Sequence, residues 1–270
     1  MENIVFYFSG TGNSLEAAKT IAKELENCEI VSMTKPFDLK KKYNSIGFVY
    51  PTYFWGLPKK VIEFVENVNL DNTGDVYYYS VATYGGSAGN AVYQLYELLL
   101  NRHGIKLNYG QKLQMFSNYV IIYDMSERIE EITNKSNENL VPIVDSIKMR
   151  KNNTVNKLTG IFKFINNNFI KKVSDMDKNY TVNSNCTGCG ICKEVCPVKN
   201  IEMADNKPQY GHHCEQCVAC IQYCPQKAIN YKNVTQGRRR YTNPAINYRE
   251  LSEYNEPPRS RTRTSGPAGY

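Results

Sequence analysis

Two stretches of this chain constrain its chemistry before any fold is considered: CTGCGICKEVCPVKNI from Cys186 and CEQCVACIQYCPQKAI from Cys214. They repeat at an offset of 28 residues, and each reads C-x2-C-x2-C-x3-C-P. Eight of the nine cysteines lie within them. In a reducing compartment such crowding means metal rather than disulfides, and this spacing is the bacterial iron–sulfur run. Three thiolates within seven residues can wrap one face of a cubane. The fourth, on a short helix, points away and is expected to cross to a second cluster. One 4Fe-4S cluster is then held by Cys186, Cys189, Cys192 and Cys224, the other by Cys214, Cys217, Cys220 and Cys196. Pro197 and Pro225 end the short helices. Gly188, Gly190 and Ala219 leave room for backbone N–H groups to approach the sulfurs. Two structural zinc sites fit less well, because zinc modules supply separated C-x2-C pairs around a tetrahedral ion.

From about Tyr180 to Tyr231 the chain resembles two-cluster bacterial ferredoxins. A unit of this size has too small a core to stand alone, so the clusters are expected to contribute to its folding. Charge agrees with that reading. Residues 1–150 carry 15 basic and 17 acidic side chains, and residues 151–270 carry 18 and 9. The basic half offsets the negative charge that oxidised clusters and their thiolates bring. Cys28 has no cysteine neighbours and reads as a small apolar residue. His212 and His213 read as exposed loop residues, since the cysteine set is already complete.

The first 150 residues alternate apolar runs with helical periodicity. Strands are expected at Ile4–Phe8, Ile30–Met33, Ser45–Tyr50, Val76–Ala82 and Leu113–Ile122. Helices are expected from Ser14, over Lys60–Val68 and Ala91–Asn101, and within Glu127–Arg150. This order implies right-handed crossovers and a parallel sheet covered on both faces, with ligands at the carboxyl ends of the strands. Three loops converge there: 9–14, 51–56 and 83–89.

The first of them, FSGTGNS, is a glycine-rich strand-to-helix turn of the kind that holds phosphate. It lacks the third glycine of a dinucleotide fingerprint, with Leu15 in that place, and Ser32 and Met33 stand where the acid belongs. It also lacks the lysine of a P-loop. What it offers is Ser9, Gly10, Thr11, Gly12, Asn13 and Ser14, suited to a terminal monophosphate. This pattern resembles the phosphate loop of flavodoxins, and the resemblance extends in outline over residues 1–150. It implies FMN, with the ring enclosed by Pro51, Thr52, Tyr53, Phe54, Trp55 and Gly56 and by Thr83, Tyr84, Gly85, Gly86 and Gly89. Tyr53, Trp55 and Tyr84 are candidates to stack on the flavin. Flavodoxins ring it with carboxylates; here neither ring loop contains an acid, and Lys59 and Lys60 follow the first.

Residues 151–179 read as a linker whose stretch IFKFINNNFIKKV forms a docking helix, with Ile161, Phe164, Ile165 and Phe169 as its apolar stripe. Residues 180–235 form the two-cluster unit, and 236–270 an extension whose end, EPPRSRTRTSGPAGY, is expected to be disordered. No apolar run is long enough to span a membrane and the N-terminus reads as a strand, so a cytoplasmic protein is expected. The expected fold is α/β, a flavodoxin-like doubly wound five-stranded parallel sheet followed by a small α+β ferredoxin domain.

Nearly end to end the chain resembles fused flavodoxin–ferredoxin proteins of anaerobes. The resemblance implies electron transfer between two 4Fe-4S clusters and FMN within one chain, and to redox partner proteins, with no particular oligomeric state. The alternative is a flavin-dependent oxidoreductase that reduces a quinone, nitro compound or other small acceptor, with the clusters as electron entry. No nucleophile–base constellation is visible, so no catalytic residue is assigned. Arg238–Arg240 are too thin a signal for a nucleic-acid partner.

Overall fold

The structure, a computed structural model, describes residues 2–39, 41–70 and 75–256. Strand β1 (Glu2–Tyr7) runs through the glycine loop into α1 (Asn13–Leu25). There follow β2 (Cys28–Ser32), β3 (Tyr43–Pro51), α2 (Lys59–Asn67), β4 (Tyr77–Tyr84), α3 (Ala91–His103), β5 (Tyr109–Gln114) and α4 (Ile129–Lys148). The five strands form one parallel sheet in the order β2-β1-β3-β4-β5. That is the flavodoxin-like doubly wound order, whose direction reverses between β1 and β3.

Both faces of the sheet are buried, which is why its strands read as continuous apolar runs. Ile4, Phe6 and Phe8 point to the side covered by Val61 and Val65 of α2 and Leu95 and Leu99 of α3. Val5 and Tyr7 point to the other, against Leu15 and Ala18 of α1 and Leu140 and Ile143 of α4. The last strand differs from the sequence expectation of Leu113–Ile122: it ends at Gln114. Ser117 and Asn118 break the run, and Phe116 and Val120 leave the sheet for a third core built around the cysteine segments.

After the sheet comes α5 (Gly160–Val173), then a 3-10 turn over Ser174–Asn179 and β6 (Tyr180–Val182). Next are α6 (Ile191–Glu194), β7 (Ile201–Ala204), β8 (Lys207–Tyr210), α7 (Ala219–Gln222), β9 (Ile229–Tyr231) and α8 (Tyr248–Asn255). The short strands pair antiparallel, β6 with β9 and β7 with β8. Helix α5 is rolled away from its expected stripe. Asn166, Phe169 and Val173 are buried, whereas Ile161 and Phe164 are exposed. A polar anchor sets the roll: Asn166 Nδ2 donates to the carbonyls of Tyr53 (2.8 Å) and Leu57 (3.1 Å).

The segment from Gln236 to Glu256 is a strap across the α1 side of the sheet. Ile246 and Leu251 are buried in the same core as Leu15 and Ala18. Tyr7 donates to Asn255 Oδ1 at 3.0 Å, Lys35 to the Tyr254 carbonyl at 2.9 Å, and the Asn243 N–H to the Thr11 carbonyl at 2.8 Å. The three arginines are engaged within the chain. Arg238 donates to the Val120 carbonyl, Arg239 pairs with Glu127, and Arg240 donates to the Thr235 carbonyl and Asn230 Oδ1. The disorder expected for the final tail falls on residues 257–270, outside the described residues. No helix among the described residues is long and apolar enough to cross a membrane.

Because the strap shares a core with α1, Leu251→Ala is expected to lower stability by about 2–5 kcal/mol. Chemical denaturation followed by far-UV circular dichroism measures this; an unchanged midpoint would mean that the strap is not part of the cooperative core.

Candidate functional site

A cavity of about 380 Å³ opens at the carboxyl end of the sheet, beside the point where strand order reverses. The β1–α1 loop supplies Ser9, Gly10, Thr11, Asn13 and Ser14, the loop after β3 supplies Pro51–Trp55, and the loop after β4 supplies Thr83–Gly86. Three of the residues named from sequence stand behind the wall. Gly12 is the left-handed residue that opens α1, at φ 97°. Gly56 and Gly89 make room for neighbours, the first for Asn166 and Gln94, the second for the backbone of Trp55.

The phosphate loop is buried and its helix end carries no side-chain cap. In the first turn of α1, Asn13, Ser14 and Leu15 are buried. Buried N–H groups at an uncapped helix end favour an anion. Ser9 Oγ accepts from the Gly12 N–H at 3.2 Å, and Ser14 Oγ lies 2.8 Å from Thr83 Oγ1. Asn13 is a structural tie: it donates to the Phe116 carbonyl and accepts from Tyr241 Oη and Asn243 Nδ2. No Lys, Arg, Asp or Glu is among the lining residues. Lys59 turns instead to Ser174 and Glu63, and Lys60 to Glu63.

The ring loop after β3 is a two-residue turn with Tyr53 and Gly56 paired across it. Its central residues, Phe54 and Trp55, both have positive φ, a conformation usually left to Asn and Gly. The turn throws both rings onto α5: Phe54 stacks on Phe169 at 4.3 Å, and Trp55 on Phe162 at 5.9 Å. Trp55 remains 36% exposed at the cavity mouth.

Phe169 of α5 and two further segments of the wall escaped the sequence reading as site residues. Met115–Tyr119, Ile122 and Tyr123 line the cavity from the loop after β5. Reading this stretch as strand hid them, although Ser117 and Asn118 mark a turn. Gln216, Cys217 and Val218 line it from the second cysteine repeat. No local signal tied that repeat to the sheet. Two buried polar atoms in the wall, Thr52 Oγ1 and Gln216 Oε1, have no hydrogen-bond partner.

The eight repeated cysteines surround two small cavities. Cys186, Cys189, Cys192 and Cys224 line one; Cys196, Cys214, Cys217 and Cys220 line the other. The last cysteine of each repeat thus sits with the triplet of the other. The repeats are alike in hydrogen bonding as well: the Asn200 N–H donates to Cys196 Sγ at 3.2 Å and the Ala228 N–H to Cys224 Sγ at 3.3 Å. Burial pushes the Cys192 and Cys214 thiols up to about 12, and raises those of Cys196, Cys217 and Cys220. Burial of this kind disfavours a thiolate unless positive charge stands beside it. Tyr180 and Tyr210, in the wall of the second cavity, turn buried hydroxyls toward Cys214 and Cys220. His212 is more than a loop residue: its N–H and Nδ1 both meet the buried Asp177 carboxylate, which also accepts from Asn200.

The cysteine repeats and the sheet meet directly. A Cβ on Gly10 would lie 2.6 Å from the Cys217 carbonyl oxygen, so only glycine fits there. Glu215, buried and pushed up to about 7 by desolvation, accepts from the Lys60 N–H at 3.1 Å, at the start of α2.

A flavodoxin domain family matches residues 4–89 and a 4Fe-4S binding domain family matches residues 180–202. One chain thus carries both matches, which supports a flavodoxin–ferredoxin fusion. Its parts serve electron transfer or flavin–iron–sulfur oxidoreduction, with FMN and a 4Fe-4S cluster as the cofactors implied. No curated protein matches the chain. Among solved structures, a flavodoxin from the domain Archaea is 14% identical at a TM-score of 0.32, covering 55% of this chain and 99% of its own. The Streptococcus pneumonia TIGR4 flavodoxin is 17% identical at 0.33, covering 53% and 98%. An FMN-dependent NADH-azoreductase from Bacillus anthracis, solved with FMN, is 10% identical at 0.38, covering 55% and 100%.

Two predictions follow from the fusion's geometry. Cys196→Ser should damage the cluster at Cys214, Cys217 and Cys220 and spare the one at its own repeat's triplet; magnetic spectra of the reduced protein with the opposite pattern would break the crossed assignment. With no acid in the wall, the fully reduced flavin should form at a less negative potential than in carboxylate-ringed flavodoxins. A spectroelectrochemical titration showing a very low potential would contradict it.

Proposed function

We propose that this chain carries electrons between two 4Fe-4S clusters and FMN inside one polypeptide, and exchanges them with redox partner proteins. The observation that carries the reading is that Cys217 and Val218 belong to the walls of both the flavin cavity and the second cysteine cavity. The cluster at Cys196, Cys214, Cys217 and Cys220 is therefore proximal to the flavin. The one at Cys186, Cys189, Cys192 and Cys224 is distal, and Cys189 is exposed, which suits exchange with a protein partner. When bound, each cluster exchanges single electrons and FMN one or two.

The chain's own residues do the rest. The loop of Ser9–Ser14 and the open end of α1 bind the FMN phosphate, and Thr52, Tyr53, Phe54, Trp55, Tyr84, Gly85 and Gly86 frame the ring. Fusion replaces diffusional encounter with a fixed contact. In this reading residues 1–150 form the flavin unit, 151–179 a linker with its docking helix, and 180–235 the two-cluster unit. Residues 236–270 form a C-terminal extension, of which the described part, to Glu256, ties the units together, and the protein works in the cytoplasm.

A second reading keeps the same cofactors and adds turnover of a small planar acceptor. It is favoured by the open mouth of the cavity, where Ile122 and Tyr123 are 56% and 44% exposed beside Trp55. Steady-state turnover with NAD(P)H and a quinone or nitro compound separates the two: sustained turnover supports the enzyme, single reduction events the carrier.

The cofactor assignment predicts roughly eight iron atoms and one FMN per chain after anaerobic purification. About four iron atoms would remove the second cluster, and absence of flavin would remove the FMN site.

A further inference from the structure

The two cysteine repeats match in spacing but differ at all four positions between the cysteines of their triplets, and two of these matter here. The offset of 28 residues places Gln216 opposite Gly188 and Val218 opposite Gly190. All four have left-handed backbone: φ is 72° and 79° at the glycines, 49° at Gln216 and 57° at Val218. This conformation favours glycine, and a β-branched residue there is an outlier. The first repeat uses glycine at both positions. The second keeps the same backbone and adds two side chains against its preference.

Both residues line the flavin cavity, and Val218 lines the second cysteine cavity as well. Gln216 and Val218 are each 2% exposed. Gln216 Oε1 has no hydrogen-bond partner, a costly state for a buried amide that has no ligand. The main-chain N–H of the same residue donates to Cys214 Sγ at 3.1 Å. One residue thus touches a cysteine of the proximal cluster site through its backbone and offers an unsatisfied amide to the flavin site through its side chain.

We propose that the second repeat is specialised as a fourth loop of the flavin site, in which Gln216 hydrogen-bonds the polar edge of the flavin and Val218 packs against it. This rests on the FMN reading above. An amide both donates and accepts, so it can meet a carbonyl or an N–H of the ring. The flavin then holds the proximal cysteine loop in its strained form, and that loop holds the flavin. Nothing comparable exists in the first repeat, where Gly190 has open space around it.

Gln216→Gly tests this, because it installs the residue that the first repeat carries at the same backbone position and so relieves strain in the cysteine loop. The unmodified protein and the variant are compared for iron content, for FMN affinity by flavin fluorescence quenching, and for the midpoint potential of the bound flavin. The expected result is unchanged iron, FMN binding weaker by about tenfold, and a shifted flavin potential. Gln216→Leu, which keeps the volume and removes the amide, should lose similar affinity and serves if the glycine variant also loses iron. FMN affinity and potential unchanged in both variants would overturn the proposal. Failure of the unmodified protein to bind FMN would instead sink the reading on which it rests.

Discussion

The architecture depends on one backbone contact, that of Gly10 in the phosphate loop with the carbonyl of Cys217 in the second cysteine repeat. A side chain at residue 10 would drive the loops apart, since its Cβ would lie 2.6 Å from that oxygen. Everything around the contact holds it closed. Glu215 accepts from the first turn of α2, Asn243 reaches the carbonyl of Thr11, and Tyr241 stacks on Phe116 at 4.2 Å. The two halves are therefore joined through the walls of their sites and not by a loose linker.

This joining explains features that neither half would need alone. The strap buries Ile246 and Leu251 on α1, and its three arginines bind the loop after β5 and the end of the cysteine unit. Helix α5 covers the ring loop, where Phe162 and Phe169 receive Trp55 and Phe54. A basic C-terminal half thus serves internal geometry as well as the charge of the clusters. Among the non-glycine residues with positive φ, Phe54, Trp55, Gln216 and Val218 line the cavity. Positive φ at such residues is tolerated when the surroundings over-determine the conformation.

Much of this was legible in the residues. The cysteine spacing and the three sheet loops carry local, periodic signals, and the parallel sheet follows from the alternation of strands and helices, its doubly wound order from the flavodoxin resemblance. What stayed hidden depended on contacts distant in sequence. The run Leu113–Ile122 is apolar enough for a strand, but Phe116 and Val120 find their partners in the cysteine unit, so β5 stops at Gln114. The stripe on α5 reads as Ile161, Phe164, Ile165 and Phe169, yet the buried Asn166 amide decides which way the helix faces. Gln216 and Val218 look like spacer residues until the fold shows them in the left-handed conformation that Gly188 and Gly190 hold in the first repeat.

The central claim is that electrons pass between the proximal cluster and the flavin within one chain. Stopped-flow reduction of the loaded protein by a substoichiometric one-electron donor measures the rate at which clusters and flavin equilibrate. The account predicts a first-order phase whose rate is the same at every protein concentration. A rate proportional to protein concentration would mean that transfer needs encounters between molecules, and would contradict it.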